Sequence, residues 1–320
     1  MSQKYVNLII RTIKLISMDW ETKLIKTYFL VSEYAWIFEV FNERFSNNNT
    51  PKFTDIEAAT IYFFCTTDNF KLDTKKSIHE YANRHLKSWF PDLPKYEAFS
   101  YRINQLNDSF RYLAISVNDD YISKHTDFQH NIIEYTGDSM PIVMAKGSRS
   151  LSAKVATEIA NRGYCATKKM WYHGLKLHSL NVVASEAKLP HPKISTLSSA
   201  SEHDYEVFKN NILPLVKNSK CYLDSAYFDE AHKEYYKEKY GVTIHAIAKR
   251  KRGQKVLFAD QNYQNTMISS LRQPIEAFFN WLIEKTNIQN ASKTRATKGV
   301  LSHIYGKIAA ASVFLALFNF

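Results

Sequence analysis

The first 125 residues carry apolar side chains at helical spacing and contain few glycines. Thr54 and Glu57 are spaced to form a capping box, in which each side chain satisfies a free amide at the start of a helix. Pro91 and Pro94 interrupt the periodicity before another helical segment begins at about Tyr96. The pattern predicts an all-helical region over residues 1–125.

After residue 125 the pattern changes to short strands that alternate with helices, which is typical of a mixed α/β layer architecture. Residues 173–183 alternate between apolar and polar side chains, as a half-buried strand does. Two shorter strands are predicted to end at Asp138 and Asp224, and a helix is predicted around Glu276. The remaining predictions are strands at 194–197 and 242–247 and helices at 201–216 and 229–240. We predict that residues 126–320 form one α/β domain.

Two apolar runs raise the question of a membrane. The N-terminal run is interrupted by Arg11 and Lys14 and lacks a cleavage pattern, which argues against a signal peptide. The C-terminal run, 308–318, is shorter than the roughly 20 apolar residues that span a bilayer. We predict that it is a buried helix and that the protein has no membrane partner.

Composition adds a partner class and a compartment. The 320 residues include 42 Lys and Arg against 31 Asp and Glu, a formal charge of +11, which favours a polyanionic partner such as nucleic acid. The three cysteines have neither disulfide-framework nor zinc-finger spacing, so a reducing cytoplasm is expected.

Basic residues that could contact DNA phosphates occur in two places. The densest run, 249–252, follows a predicted strand; it either grips phosphates or forms a solvated loop. Lysines around residues 168–176 are candidates for the same surface. The candidates are Lys168, Lys169, Lys176, Lys249, Arg250, Lys251 and Arg252.

Three acidic residues, Asp138, Asp224 and Glu276, are the best clue to chemistry. Carboxylate oxygens suit Mg²⁺ or Mn²⁺, and two such ions about 3.5–4 Å apart can drive phosphodiester displacement without a protein nucleophile. Each acid also has an ordinary explanation. Asp138 could be a turn residue, Asp224 an N-cap, and Glu276 the third residue of a helix that starts at Pro274.

Several stretches of the chain resemble the DDE transposases of bacterial insertion sequences, in particular the group numbered nine-eight-two. The stretches are 137–142 (GDSMPI), 163–178 (GYCATKKMWYHGLKLH), 200–204 (ASEHD), 223–227 (LDSAY) and 272–279 (RQPIEAFF). Residues 89–106 resemble the helical N-terminal region of the same group. The resemblance covers the chain from about residue 53 to its end.

This resemblance implies a ribonuclease-H-like mixed sheet with flanking helices, in which Asp138, Asp224 and Glu276 are the catalytic and metal-binding triad. The implied cofactors are two Mg²⁺ or Mn²⁺ ions. The implied reaction is cleavage of double-stranded DNA at the element's ends, followed by attack of the freed 3′ hydroxyl on target DNA. A homo-oligomer on DNA is also implied. Arg272 lies one turn before Glu276 on the same helix face, where it could meet a DNA phosphate.

Two departures and two alternatives remain. The wider family's signature tyrosine and lysine fall at Ser269 and Ile283, and Lys285 lies about 200° further around the helix than Ile283. Asp204 we assign to helix capping behind an N-cap at Ser201, with His203 left open. The alternatives to a transposase are a metal-dependent nuclease of the same fold and a non-catalytic DNA-binding protein derived from such an element.

Overall fold

Among the described residues before the first strand, the regular structure is helical. The computed structural model describes residues 19–42, 51–67, 72–125, 132–183, 189–227, 229, 231–248, 250 and 253–318. The helices are α1 (Trp20–Glu33), α2 (Ala35–Phe41), α3 (Asp55–Thr67), α4 (Lys75–His85), α5 (Tyr96–Gln105) and α6 (Asn107–His125). The backbone N–H of Thr54 donates to the Glu57 carboxylate at 2.6 Å, and that of Glu57 donates to the Thr54 hydroxyl at 3.1 Å. The predicted capping box is confirmed.

A mixed sheet with β1 near its centre follows the helices. Its strands are β1 (Ile133–Lys146), β2 (Asn161–Cys165), β3 (Met170–Val182), β4 (His191–Ser199), β5 (Ser219–Leu223) and β6 (Val242–Ala246). Strand β1 is antiparallel to β3 and parallel to β5, and β5 is parallel to β6. Strands β2 and β4 both pair antiparallel with β3. The predicted mixed α/β architecture with flanking helices is confirmed at this level.

The later helices differ from their predicted bounds. They are α7 (Asp204–Val207), α8 (Lys233–Tyr240), α9 (Ala259–Thr286) and α10 (Thr297–Phe318). The predicted helix over 201–216 is broken, because α7 passes into a π turn, Phe208–Ile212, and then a 3-10 turn. The predicted helix over 229–240 begins only at Lys233. Pro274 lies inside α9, so the alternative that Glu276 is near a helix start is wrong.

Most of the buried apolar side chains form one core that joins the helices to one face of the sheet. It contains Phe63 and Phe110 from the early helices, Ile142 and Leu177 from the sheet, and Ile275 from α9. A smaller core lies around β5 and β6. The division of the chain near residue 125 stays a prediction, and α10 packs among the early helices α3 and α6.

Helix α10 confirms the predicted buried C-terminal helix. By length and composition it is the one described helix that could cross a membrane, yet 72% of its apolar window is buried inside the fold. Core helices show the same burial.

Candidate active site

Asp138 lies within β1 and not at its end. The strand continues to Lys146, so the predicted strand end and the turn alternative are both wrong. Gly137 suggested a turn, but its role is close packing. A Cβ added there would lie 2.8 Å from a methyl of Leu223 and 2.9 Å from one of Leu180. The glycine therefore lets neighbouring strand side chains pack over the backbone beside Asp138.

Asp224 directly follows β5, as predicted. The last residue pair between the parallel strands β1 and β5 joins Thr136 to Tyr222. Asp138 and Asp224 each lie two residues further along their strands. Because side chains two residues apart in a strand share a face, the two aspartates lie side by side on one face. The prediction that they occupy adjacent strands is confirmed.

Helix α9 brings Glu276 and Arg272 to the same place, because it packs against both β1 and β5. The Arg272 side chain is only 7% exposed. Its Nη2 donates to Asp138 Oδ2 at 3.1 Å, and its Nη1 lies 3.8 Å from Asp224 Oδ1 and 3.9 Å from Glu276 Oε1. The three acids singled out from the sequence therefore surround one guanidinium. The contact between Arg272 and a DNA phosphate stays a prediction.

A fourth carboxylate, Asp204, belongs to the same cluster. Its Oδ2 accepts a hydrogen bond from the Ser139 hydroxyl at 3.0 Å, and its Oδ1 pairs with Lys176 Nζ at 2.8 Å. Ser139 follows Asp138 in β1, and Lys176 lies on the neighbouring strand β3. Asp204 thus links the end of the β4–α7 segment to the central strands.

The assignment of Asp204 to capping alone is wrong for this reason. The N-cap of α7 is His203, whose Nδ1 accepts from the Tyr205 N–H at 3.4 Å, and not Ser201. Local spacing could not reveal the role of Asp204, because its partner Ser139 lies 65 positions away along the chain. The only sequence signal was the resemblance of residues 200–204 to a family motif.

Burial raises the pKa of Asp138 from 3.8 to about 6. The Ser139 N–H, which donates to Oδ1 at 2.7 Å, and the Arg272 guanidinium lower this pKa, while the charges of Asp224 and Asp204 raise it. The net upward shift means that the ionised carboxyl is poorly compensated where it stands.

The donor set of the cluster suits a divalent cation. Four carboxylates face two cations, Arg272 and Lys176, so the ionised cluster carries an excess of negative charge. Oxygen donors of this kind are those that Mg²⁺ and Mn²⁺ prefer. In the described ranges, however, no three His, Cys, Asp or Glu side chains are arranged as a ready metal site. The guanidinium lies among the acids, and a metal would require these side chains to rearrange.

The other predicted DNA-binding residues make their hydrogen bonds outside this cluster or are outside the described residues. Lys168 and Lys169 are in the turn between β2 and β3, where Lys168 Nζ donates to the Gln289 side chain. The exposed Arg250 donates to the Lys255 carbonyl at 3.2 Å. Lys249, Lys251 and Arg252 are outside the described residues.

Fold and site together define an α/β protein with a carboxylate cluster where two parallel strands meet a long helix. No protein-family model, curated protein or solved structure matches the chain. The family resemblance therefore rests on the sequence stretches themselves.

Proposed function

We propose that this chain is a DDE transposase, which cuts DNA at the ends of an insertion sequence and joins the freed ends to target DNA. The observation that carries the proposal is the meeting of Asp138, Asp224 and Glu276 around one point. Two of these acids come from adjacent parallel strands and the third from a helix. Both the residues and their arrangement are those that the resemblance implies.

The fold part of the proposal is a ribonuclease-H-like catalytic domain behind a helical DNA-binding or dimerising region. It is supported by a sheet in which β1 is antiparallel to β3 and parallel to β5 and β6 follows β5 in parallel. It is also supported by α9, which crosses β1 and β5 and carries the third acid.

Each residue of the cluster has a separate proposed role. Asp138, Asp224 and Glu276 would hold Mg²⁺ or Mn²⁺. Their negative charge, together with that of a DNA phosphate, would offset the positive charge of two ions. A bound divalent ion supplies activation of the attacking oxygen and charge neutralisation at the phosphate. The Ser139 N–H fixes one oxygen of Asp138. The fork of Arg272 is suited to a phosphate beside the acids.

Double-stranded DNA is the proposed partner, at the element's ends and at the target. The formal charge of +11 supports it, because DNA affinity depends mainly on neutralised phosphates. We also propose that the protein forms a homo-oligomer that holds two element ends together. Its proposed location is the cytoplasm.

A strand-transfer assay with Mg²⁺ tests the catalytic part. Element-end duplexes, taken from inverted repeats that flank the coding region, should be cut and joined by the wild-type protein. Asp138→Asn and Glu276→Gln should each lose both steps by about 10²-fold or more, as expected when a group that acts at the reacting phosphate is removed. Glu284→Gln is the matched control, because Glu284 is exposed on the same helix.

The assay also separates the alternatives. Cleavage without joining would identify a nuclease of the same fold. A non-catalytic DNA-binding protein is favoured by one observation, namely that Arg272 already lies within 4 Å of an oxygen of all three acids. DNA binding without any metal-dependent cleavage would support the non-catalytic alternative and exclude both the transposase and the nuclease.

A further inference from the structure

A cavity of about 440 Å³ lies between the early helices and the segment that joins α9 to α10. Its charged side chains are unbalanced. Lys75, Lys76, Lys293 and Arg295 line it together with a single carboxylate, that of Asp73. The Asp73 carboxylate already accepts a hydrogen bond from a neighbouring amide at 3.2 Å. The cavity is therefore strongly cationic.

Lys75 is the most buried of these cations, and its hydrogen bonds are with neutral groups. Its Nζ donates to the side-chain oxygen of Asn104 and to the Ser302 hydroxyl, the latter at 3.1 Å. No carboxylate of the described residues pairs with it. Burial lowers the pKa of Lys75 to about 8. An ammonium that is buried without a counter-ion is stabilised when an anion binds next to it.

The other three cations lie at the solvent-exposed rim of the cavity. Lys293 and Arg295 are exposed, and no ion pair to them is found within the described ranges. Lys76 lies 3.9 Å from the Glu80 carboxylate. This ion pair is exposed to solvent and contributes little to the stability of the fold. The rim can therefore close on an anion without first breaking a strong contact.

Two helices begin at this cavity. Helix α4 starts at Lys75 behind the N-cap Thr74, and α10 starts at Thr297, directly after the lining residues Thr294 to Ala296. Helix N-termini carry a partial positive charge, so both add to the attraction for an anion, although a capping box between Thr74 and Ser77 already satisfies two N–H groups at the start of α4. Four cationic side chains and two helix starts thus face one space.

We propose that this cavity binds a phosphate group, with Lys75 as the inner contact and Arg295 and Lys293 at the rim. An ammonium supplies a point charge, and a guanidinium supplies a planar fork that matches two phosphate oxygens. The cavity falls within the range of about 300–1,000 Å³ that ligand sites occupy, which leaves space for more than a bare phosphate. The source is either a DNA backbone phosphodiester or a free phosphomonoester such as a nucleotide.

The cavity wall is connected to β1, the strand that carries Asp138. The wall formed by the segment after α9 is fixed to β1, because the Ala291 N–H donates to the Val143 carbonyl at 2.9 Å. Val143 lies five residues beyond Asp138 on β1, or about 17 Å at the usual rise of a strand. Lys168 contacts Gln289, next to the lining residue Asn290. The inference stands on the chemistry of the cavity and does not depend on the proposed function.

The experiment uses the full-length protein without divalent ions. The test variant is Lys293→Ala with Arg295→Ala, since both side chains are exposed and their loss should not impair folding. The control is Lys298→Ala, which removes one positive charge from the start of α10, whereas the double variant removes two. Lys298 donates to Gln105 at 2.8 Å and lines a different cavity. Lys75→Met tests the inner contact, and its unfolding curve shows whether it folds.

Two probes distinguish the sources. A fluorescent duplex is titrated by anisotropy at several salt concentrations, and adenosine monophosphate is titrated by calorimetry. The slope of log affinity against log salt is negative, and if backbone phosphates bind in the cavity, the double variant should make it less negative by about 2 relative to the control. If a free phosphomonoester binds, the double variant should weaken adenosine monophosphate binding about 10-fold or more while the slope is unchanged.

Either result supports the site and names its source. If both the salt slope and the adenosine monophosphate affinity of the double variant equal those of Lys298→Ala, the inference is overturned. The outcome is independent of the strand-transfer assay, because binding is measured without divalent ions and the carboxylate cluster is unchanged.

Discussion

Replacing Asp138 by asparagine should stabilise the protein above about pH 6, even though the proposed function needs this acid. The pKa of the Asp138 carboxyl is raised from 3.8 to about 6 by burial and by the charges of its acidic neighbours. A raised pKa means that the folded state favours the protonated, neutral carboxyl. Asparagine is neutral and of nearly the same shape. Its single oxygen can keep either the bond from Arg272, now 3.1 Å, or the bond from the Ser139 N–H, now 2.7 Å, so the loss of the other reduces the gain.

The magnitude follows from the shift. Because a tenfold change in an equilibrium corresponds to about 1.4 kcal/mol, raising the pKa of Asp138 from 3.8 to about 6 costs the folded state about 3 kcal/mol once the carboxyl is ionised. Between the two pKa values the folded state binds more protons than the unfolded state, and wild-type stability therefore falls as pH rises through this window. The Asp138 side chain is 27% exposed, and solvent screens its charge, so about 3 kcal/mol is an upper value for the gain.

The assay is urea unfolding of the wild type and of Asp138→Asn in the presence of a chelator, with tryptophan fluorescence as the readout. The difference in the free energy of unfolding should be small near pH 4 and should grow to between about 1 and 3 kcal/mol near pH 8. Glu284→Gln, at an exposed position of α9, should show no such growth. If Asp138→Asn is no more stable than the wild type near pH 8, the reasoning from burial and charge is refuted.

Three further outcomes are expected. Gly174→Ala should cost about 3 kcal/mol or more, because its Cβ would lie 2.0 Å from a carbonyl of β1, whereas Gly147→Ala, with φ +56° and open space, should cost about 1–2 kcal/mol; thermal unfolding compares them. Lys307→Met should be more stable than the wild type near pH 7, and this advantage should shrink towards about pH 10, because burial lowers the pKa of Lys307 to about 7; urea unfolding at both values tests it. Asp204→Asn should lower the pKa of Asp138, because a negative charge that raises it is removed; a carbon-13 NMR titration of the aspartate carboxyls would show no downward shift if this is wrong.

The sequence predicted those parts of the site that depend on local pattern. The helix that carries Glu276 and the position of Asp224 after a strand follow from apolar spacing, and the structure has both. Asp138 was predicted to end a strand, with a turn as the alternative because a glycine, Gly137, precedes it. Tertiary packing decides otherwise, since β1 runs through both residues and pairs with β3 along its length. Helix α9 likewise runs through Pro274, whose missing N–H breaks one helical bond without ending the helix.

Long-range contacts could not be predicted in the same way. The sequence places Arg272 one turn from Glu276, but only the packing of α9 on the sheet brings its guanidinium to Asp138 and Asp224. The guanidinium has five N–H donors, and in the described structure its one contact within hydrogen-bond distance is the 3.1 Å bond to Asp138. The contacts of Nη1 at 3.8 and 3.9 Å are too long for hydrogen bonds, and Nε has no partner among the described residues. Arg272 therefore keeps donors for a phosphate while it holds Asp138, so its pairing with the acids and a contact with DNA are compatible. Because three carboxylates lie within 4 Å of the Arg272 guanidinium, we expect a phosphate to pair with it only when further positive charge offsets theirs.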